Sequence, residues 1–178
     1  MSNTSPLFSE HIQFASPFNN ISQDLLLPHE LFSSIYSEYR HAWQKSILPN
    51  TSELRHFWRE VDGHPQMLGH ELRQRPNYQT WAIPISFHGD GVPITGVGKI
   101  WAKMRTLFSW SSMVFFGNTK GVQFIVWAVF DRLCRSGECD GTLHTFFSIL
   151  RWSFYWLWMG VWPDRPWNSS TRQLTSCE

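Results

Sequence analysis

Residues 81–91 read Trp-Ala-Ile-Pro-Ile-Ser-Phe-His-Gly-Asp-Gly, and within this stretch the spacing of the apolar residues changes. Upstream they recur every three or four residues. Here Trp81, Ile83, Ile85 and Phe87 alternate with Ala82, Pro84, Ser86 and His88. Alternation at period two is the pattern of a strand with one apolar face. Pro84 has no N–H to give to a ladder, so the strand needs an edge or a bulge and is short at its start. His88-Gly89-Asp90-Gly91 breaks the pattern, and Gly96 and Gly98 extend a glycine-rich connection.

Downstream, Thr106–Phe116 is rich in β-formers and serines and reads as a second strand. Gly117–Gly121 is of hairpin-turn length and carries two glycines. Val122–Phe130 reads as a third, largely buried strand, with a helix as the competing reading of so short an apolar run. After a polar loop at Arg132–Asp140, Thr142 is placed to cap a helix from Leu143 to about Gly160, closed by Gly160 and Pro163. Upstream, Pro28 suits a first helical turn, and Leu31, Ile35, Tyr39, Ala42 and Trp43 follow at helical spacing up to Leu48. Ser52 is the expected N-cap of a second helix with Leu54, Phe57, Trp58 and Val61 on one face. His64–Arg75 forms a third short helix before Pro76. The expected class is α/β. A flexible arm (1–27) leads into a helical N-terminal region (28–76); residues 77–163 form a three-stranded antiparallel meander and a long helix, and 164–178 a disordered tail.

A chain of 178 residues suits one compact domain, or a tail plus one domain. At 42% hydrophobic it is too apolar to be wholly disordered, and with three cysteines it is no disulfide-stapled module. The formal net charge of +1 argues against strong electrostatic affinity of the whole chain for nucleic acid. Glu10, Asp24, Glu30 and Glu38 give residues 1–38 four negative charges and no positive one, so all fifteen basic residues follow Glu38 and the later part is mildly basic. Met1–Asn20 has neither a basic start nor a continuous apolar run, and Cys134, Cys139 and Cys177 are an odd set suited to reduced thiols. A nuclear or cytoplasmic protein that is not secreted is expected. Residues 143–162 approach the length of a membrane span, but Arg151 lies at their centre and Trp152, Trp156 and Trp158 in their middle, so membrane attachment is the weakest reading.

The sharpest chemical feature is Asp90, set between two glycines after a strand. A carboxylate there has room for a close approach by a metal or a phosphate, although an Asp-Gly pair also simply caps turns. One carboxylate is too few for Mg²⁺, which takes octahedral oxygen ligands and usually two acidic residues. Lys99, Lys103 and Arg105 follow with Trp101 among them, a mixture that serves a phosphate backbone and a stacked base, or equally a solvated loop whose Trp turns inward. The glycines match neither a phosphate-binding loop nor a dinucleotide fingerprint. Cys134, Cys139 and His144 lack a fourth ligand at matched spacing, so zinc is not expected. No Gly-x-Ser-x-Gly supports a hydrolase triad.

The run Ile-Ser-Phe-His-Gly-Asp-Gly-Val-Pro-Ile-Thr-Gly-Val-Gly-Lys (85–99), with Phe-Ser-Trp-Ser-Ser-Met (108–113), resembles a multicopy group of uncharacterised eukaryotic proteins with a His-Gly-Asp-Gly motif. The likeness extends to Gly160-Val161-Trp162-Pro163. That group is more distantly similar to the start of the ribonuclease-H-like core of DDE-type transposases. There a catalytic Asp ends the first strand of a meander that a helix follows. The resemblance implies that Asp90 is the first ligand of a two-metal Mg²⁺ site for phosphoryl transfer. Such a site needs a second Asp after a fourth strand and a third carboxylate on a later helix, and residues 163–178 supply neither. The implied protein is a truncated, transposase-derived half-core with a vestigial Asp90, weak DNA contact through Lys99, Trp101, Lys103 and Arg105, and no strand-transfer activity.

The tryptophans suggest a different role. Eight of the eleven follow residue 100. Trp81 and Trp127 on strands, and Trp152 and Trp156 four apart on the last helix, fall where side chains turn inward. Their surplus reads as the inner wall of an interrupted domain, left sticky toward a protein partner or a second copy through Trp152, Trp156 and Trp158. A non-enzymatic interaction module is therefore the alternative expectation.

Overall fold

In the computed structural model, which describes residues 7–93, 104–115, 122–136 and 141–168, regular structure begins with an antiparallel hairpin. Strand β1 (Leu7–Gln13) pairs with β2 (Asn20–Leu26), Phe8 opposite Leu25 and Ile12 opposite Ile21. This differs from the expected flexible arm over 1–27. Phe8, Glu10, Ile12 and Phe14 turn inward while Ser9, His11 and Gln13 face solvent. That is period two, disguised by one acid. The Glu10 carboxylate tolerates its half-buried place because Trp167 Nε1–H donates to it at 2.8 Å. The turn closes through Asn19 at φ 50, a left-handed conformation that Asn accepts readily.

Three helices follow: α1 (Pro28–Glu38), α2 (Arg40–Ser46) and α3 (Thr51–Val61). The single helical pattern read up to Leu48 is divided at Tyr39, whose ψ of 57 leaves the helical range. The cap of α3 is Asn50 rather than the expected Ser52. Its Oδ1 accepts the Glu53 N–H at 2.9 Å, satisfying one of the orphan donors of the first turn. The expected third helix resolves into two 3-10 turns, Pro65–Met67 and Glu71–Gln74, started by His64 and His70, whose Nδ1 atoms accept the N–H two residues on. A further turn, α4 (Tyr78–Trp81), corrects the start of the first strand. Trp81 lies on this turn and is exposed, its Nε1–H donating to the Pro76 carbonyl at 3.0 Å, and the strand begins only after Pro84.

Strands β3 (Ile85–Pro93), β4 (Met104–Ser112) and β5 (Phe124–Phe130) then pair in the order β3-β4-β5 as an antiparallel sheet, and the long helix α5 (Thr142–Met159) comes last. The architecture is mixed α/β with a two-stranded and a three-stranded antiparallel sheet. The strand reading of 122–130 was the right one of the two. Among the described residues, no helix is long and apolar enough to cross a membrane.

Packing divides the chain into two compact units, neither of them continuous in sequence. The first holds residues 35–87 and 110–124. Its core gathers Leu54, Trp58, Leu72, Tyr78 and Val114. Trp58 Nε1–H donates to the Ala82 carbonyl at 2.8 Å, and the Ser112 hydroxyl to the Ile47 carbonyl at 2.6 Å. The second unit holds residues 1–34, 88–109 and 125–178 and has an aromatic core. Phe146 of α5 meets Phe108 of β4 at 4.6 Å and Trp127 of β5 at 4.8 Å between ring centroids, with Ile12, Leu25, Ile149 and Leu150 also buried in this unit. Trp127 is thus turned inward as expected.

Candidate functional site

Asp90 lies inside β3, three residues before its end, and its side chain is exposed. Gly89 beside it answers to packing: a Cβ there would come within 3.0 Å of the Phe108 ring. Arg105 is exposed near the start of β4, while Lys99, Trp101 and Lys103 lie outside the described residues. Among the described residues, no group of three or more His, Cys, Asp or Glu side chains could hold a metal ion. Among the described residues, Asp90 therefore belongs to no such group. Cys134 is partly buried, and burial, followed by the nearby Asp131 carboxylate, pushes its thiol up, away from the reactive thiolate. Cys139 and Cys177 lie outside the described residues, and His144 is exposed on α5.

Helix α5 has two apolar faces. Phe146, Ile149, Leu150 and Trp156 line its buried side, together with the small polar residues Thr142 and Ser153. Both polar groups find partners. Thr142 Oγ1 donates to the Gln13 carbonyl and accepts the Arg135 N–H. Ser153, with no exposed surface, accepts the His29 backbone N–H at 3.3 Å and meets His29 Nδ1 at 2.8 Å. The His29 ring is packed edge-on by Trp152 and Trp162, at 5.1 and 5.7 Å between centroids. Burial pushes its pKa down to about 4, so the ring is neutral at pH 7. A serine paired with a histidine invites a nucleophile reading, but a fully buried hydroxyl cannot meet a substrate. The pair fastens α5 to the start of α1.

The opposite side of α5 carries Leu143, Phe147, Arg151, Tyr155 and Met159, each four residues from the last, with Trp158 beside them and Trp162 beyond the helix end. Every one of them is exposed, Phe147 at 43%, Tyr155 at 49% and Trp162 at 61%. At 1.5 Å per residue the row from Leu143 to Met159 runs about 24 Å. Arg151 is its midpoint and the only formally charged residue of the helix, which has no Asp or Glu. No carboxylate pairs with it among the described residues. Gly160 ends the helix at φ 70, the left-handed conformation that glycine adopts without strain, and turns Trp162 back toward His29.

Of the three tryptophans singled out for docking, the structure places only Trp158 on the exposed side. Trp156 is buried and Trp152 partly so, and the indole nitrogen of each has no hydrogen-bond partner among the described residues. Leu143, Phe147, Tyr155 and Met159 were missed. Their four-residue recurrence was visible, yet an apolar residue on every face hides which one is outside. Comparison of the chain with protein-family models, with curated proteins and with solved structures found no match.

Proposed function

We propose that this chain is a non-enzymatic protein-interaction module that docks through the outer face of α5. The supporting observation is the exposed row Leu143, Phe147, Tyr155 and Met159 around one charge, on a helix whose other side is already filled. Contiguous apolar surface of this kind marks interaction sites on folded chains. The test is binding of the full chain to displayed amphipathic peptides, or to itself, beside the Leu143→Gln/Tyr155→Gln variant. A loss of at least about tenfold with an unchanged melting curve is expected; equal binding by the variant sinks the reading.

A second reading, a transposase-derived half-core that contacts DNA weakly, draws support from one feature. A three-stranded antiparallel sheet followed by a long helix is the order that the resemblance implies. Salt-dependent retention on immobilised DNA, insensitive to changes on α5, favours it over docking. No strand transfer is expected, and Mg²⁺-dependent plasmid cleavage abolished by Asp90→Asn would overturn that.

A further inference from the structure

Arg151 is the part of the α5 surface that plain stickiness leaves unexplained. Phe147 and Tyr155 lie one turn to either side of it, so anything that covers the row takes water away from the guanidinium. A wholly apolar cover would strand a charge, which costs far more than the added contact returns. A cover that brings a carboxylate gains an ion pair in a dry surround, where it is stronger than in water. Arg151 thus selects among apolar partners.

Two other occupants fit less well. A second copy packed about a two-fold axis, with the helices parallel or antiparallel and the rows fully overlapped, sets Arg151 beside its own image, because Arg151 is the midpoint between Leu143 and Met159. An offset that parts the two charges uncovers an end of the row. An anionic lipid surface calls for several basic residues bordering the apolar face. The helix has one, and the next arginine along the chain, Arg165, lies 3.6 Å from Asp164.

We infer that the partner of this face is an acidic amphipathic segment of another protein, its apolar side chains seated on Phe147, Tyr155 and Met159 and a carboxylate between them paired with Arg151. This rests on the docking reading above and adds the chemistry of the partner. The test uses the full chain and a displayed library of helical peptides. Their apolar positions are spaced at three and four residues, and one central position is varied among Glu, Gln and Lys. At low salt, Glu peptides are expected to bind about fivefold tighter than Gln peptides, with Lys peptides weakest. Arg151→Gln should level the series and Arg151→Glu reverse it, with circular dichroism showing that both variants fold. Equal binding of the Glu and Gln peptides overturns the inference, as does a charge order that Arg151→Glu leaves intact. Self-association that Arg151→Gln tightens, in place of peptide binding, overturns it in favour of a second copy. Retention on phosphatidylserine vesicles without any peptide preference overturns it in favour of lipid. In each of these outcomes the docking reading survives if Leu143→Gln/Tyr155→Gln abolishes the binding seen. It falls too if that variant changes nothing.

Discussion

Helices α3 and α5 each carry an aromatic inner face, and they differ in what they show to water. In α3, Leu54 and Trp58 are buried while Arg55, His56, Arg59 and Glu60 are exposed. Its own pattern of apolar and charged residues decides which side goes in. In α5, leucine, phenylalanine, tryptophan and tyrosine lie on every side, and that pattern decides nothing. The inward face is set instead by Thr142 and Ser153, the small polar residues whose hydroxyls have partners waiting at Gln13 and His29. Turned outward, those hydroxyls would lose little, but the buried His29 backbone N–H would lose its acceptor. A helix that is apolar all round is thus oriented by its few polar groups, and the apolar surplus is left on the outside.

The largest expected effects test whether the two inner faces are equivalent. Phe146→Ala removes a fully buried ring that meets Phe108 and Trp127, and should destabilise the chain by about 3–5 kcal/mol in urea titrations. Trp58→Ala in the helical unit should cost about the same, since it also orphans the Ala82 carbonyl. A loss below about 1 kcal/mol for Phe146→Ala would mean that the aromatic cluster is not a core, and the comparison would collapse.

The polar fastening of α5 predicts a pH dependence. His29 has its folded pKa lowered from 6.5 to about 4 by burial. For a group depressed on folding, the contribution to stability is complete above the unfolded value and lost as protons bind the unfolded chain. Stability should therefore fall as pH drops from about 6.5 toward 4, lowering the melting midpoint by several degrees. Glu30, the next residue, works the other way. Burial raises its carboxyl, so its contribution is present below the usual carboxylate range and lost as pH rises. His29→Gln isolates the histidine: it should flatten the fall between pH 6.5 and 4 and leave the Glu30 component, and an unchanged profile would refute the assignment.

A smaller effect separates the helix starts. Asn50→Ala removes the acceptor of the Glu53 N–H and should cost about 1 kcal/mol by urea midpoint. At α5 no side-chain cap exists to remove, because Gly141 occupies that position.

Where local chemistry dictates structure, the sequence was readable. The ends of α5, with Thr142 at one and Gly160 at the other, were placed within a residue, and β4 and β5 overlapped their expected spans because β-branched and aromatic residues crowd there. The hairpin was missed because Glu10 interrupts its alternation, and the acid has a distant partner in Trp167, 157 residues away. Trp81 was misplaced because period two was extended upstream through Pro84, across the Asn77 turn at φ 59. For the site, Asp90 stood out by its neighbours, but Gly89 serves the Phe108 ring. The outer row of α5 could not be told from the inner one without knowing that Ser153 meets His29.

The smallest expected effect bears hardest on the comparison. Leu143→Gln/Tyr155→Gln should change stability by about 0.5 kcal/mol or less at each position, since both side chains are well exposed and glutamine suits a helix. The same double change should visibly shorten retention on a phenyl column and reduce binding of an apolar dye. Matching changes on α3, Arg55→Gln/Arg59→Gln, remove charge from a face that is already polar and should move neither. If the α5 variant instead loses several kcal/mol, the outer row is holding the fold together. Both sides of α5 would then be core, and the contrast with α3 would have to be redrawn as one between a surface helix and a buried one.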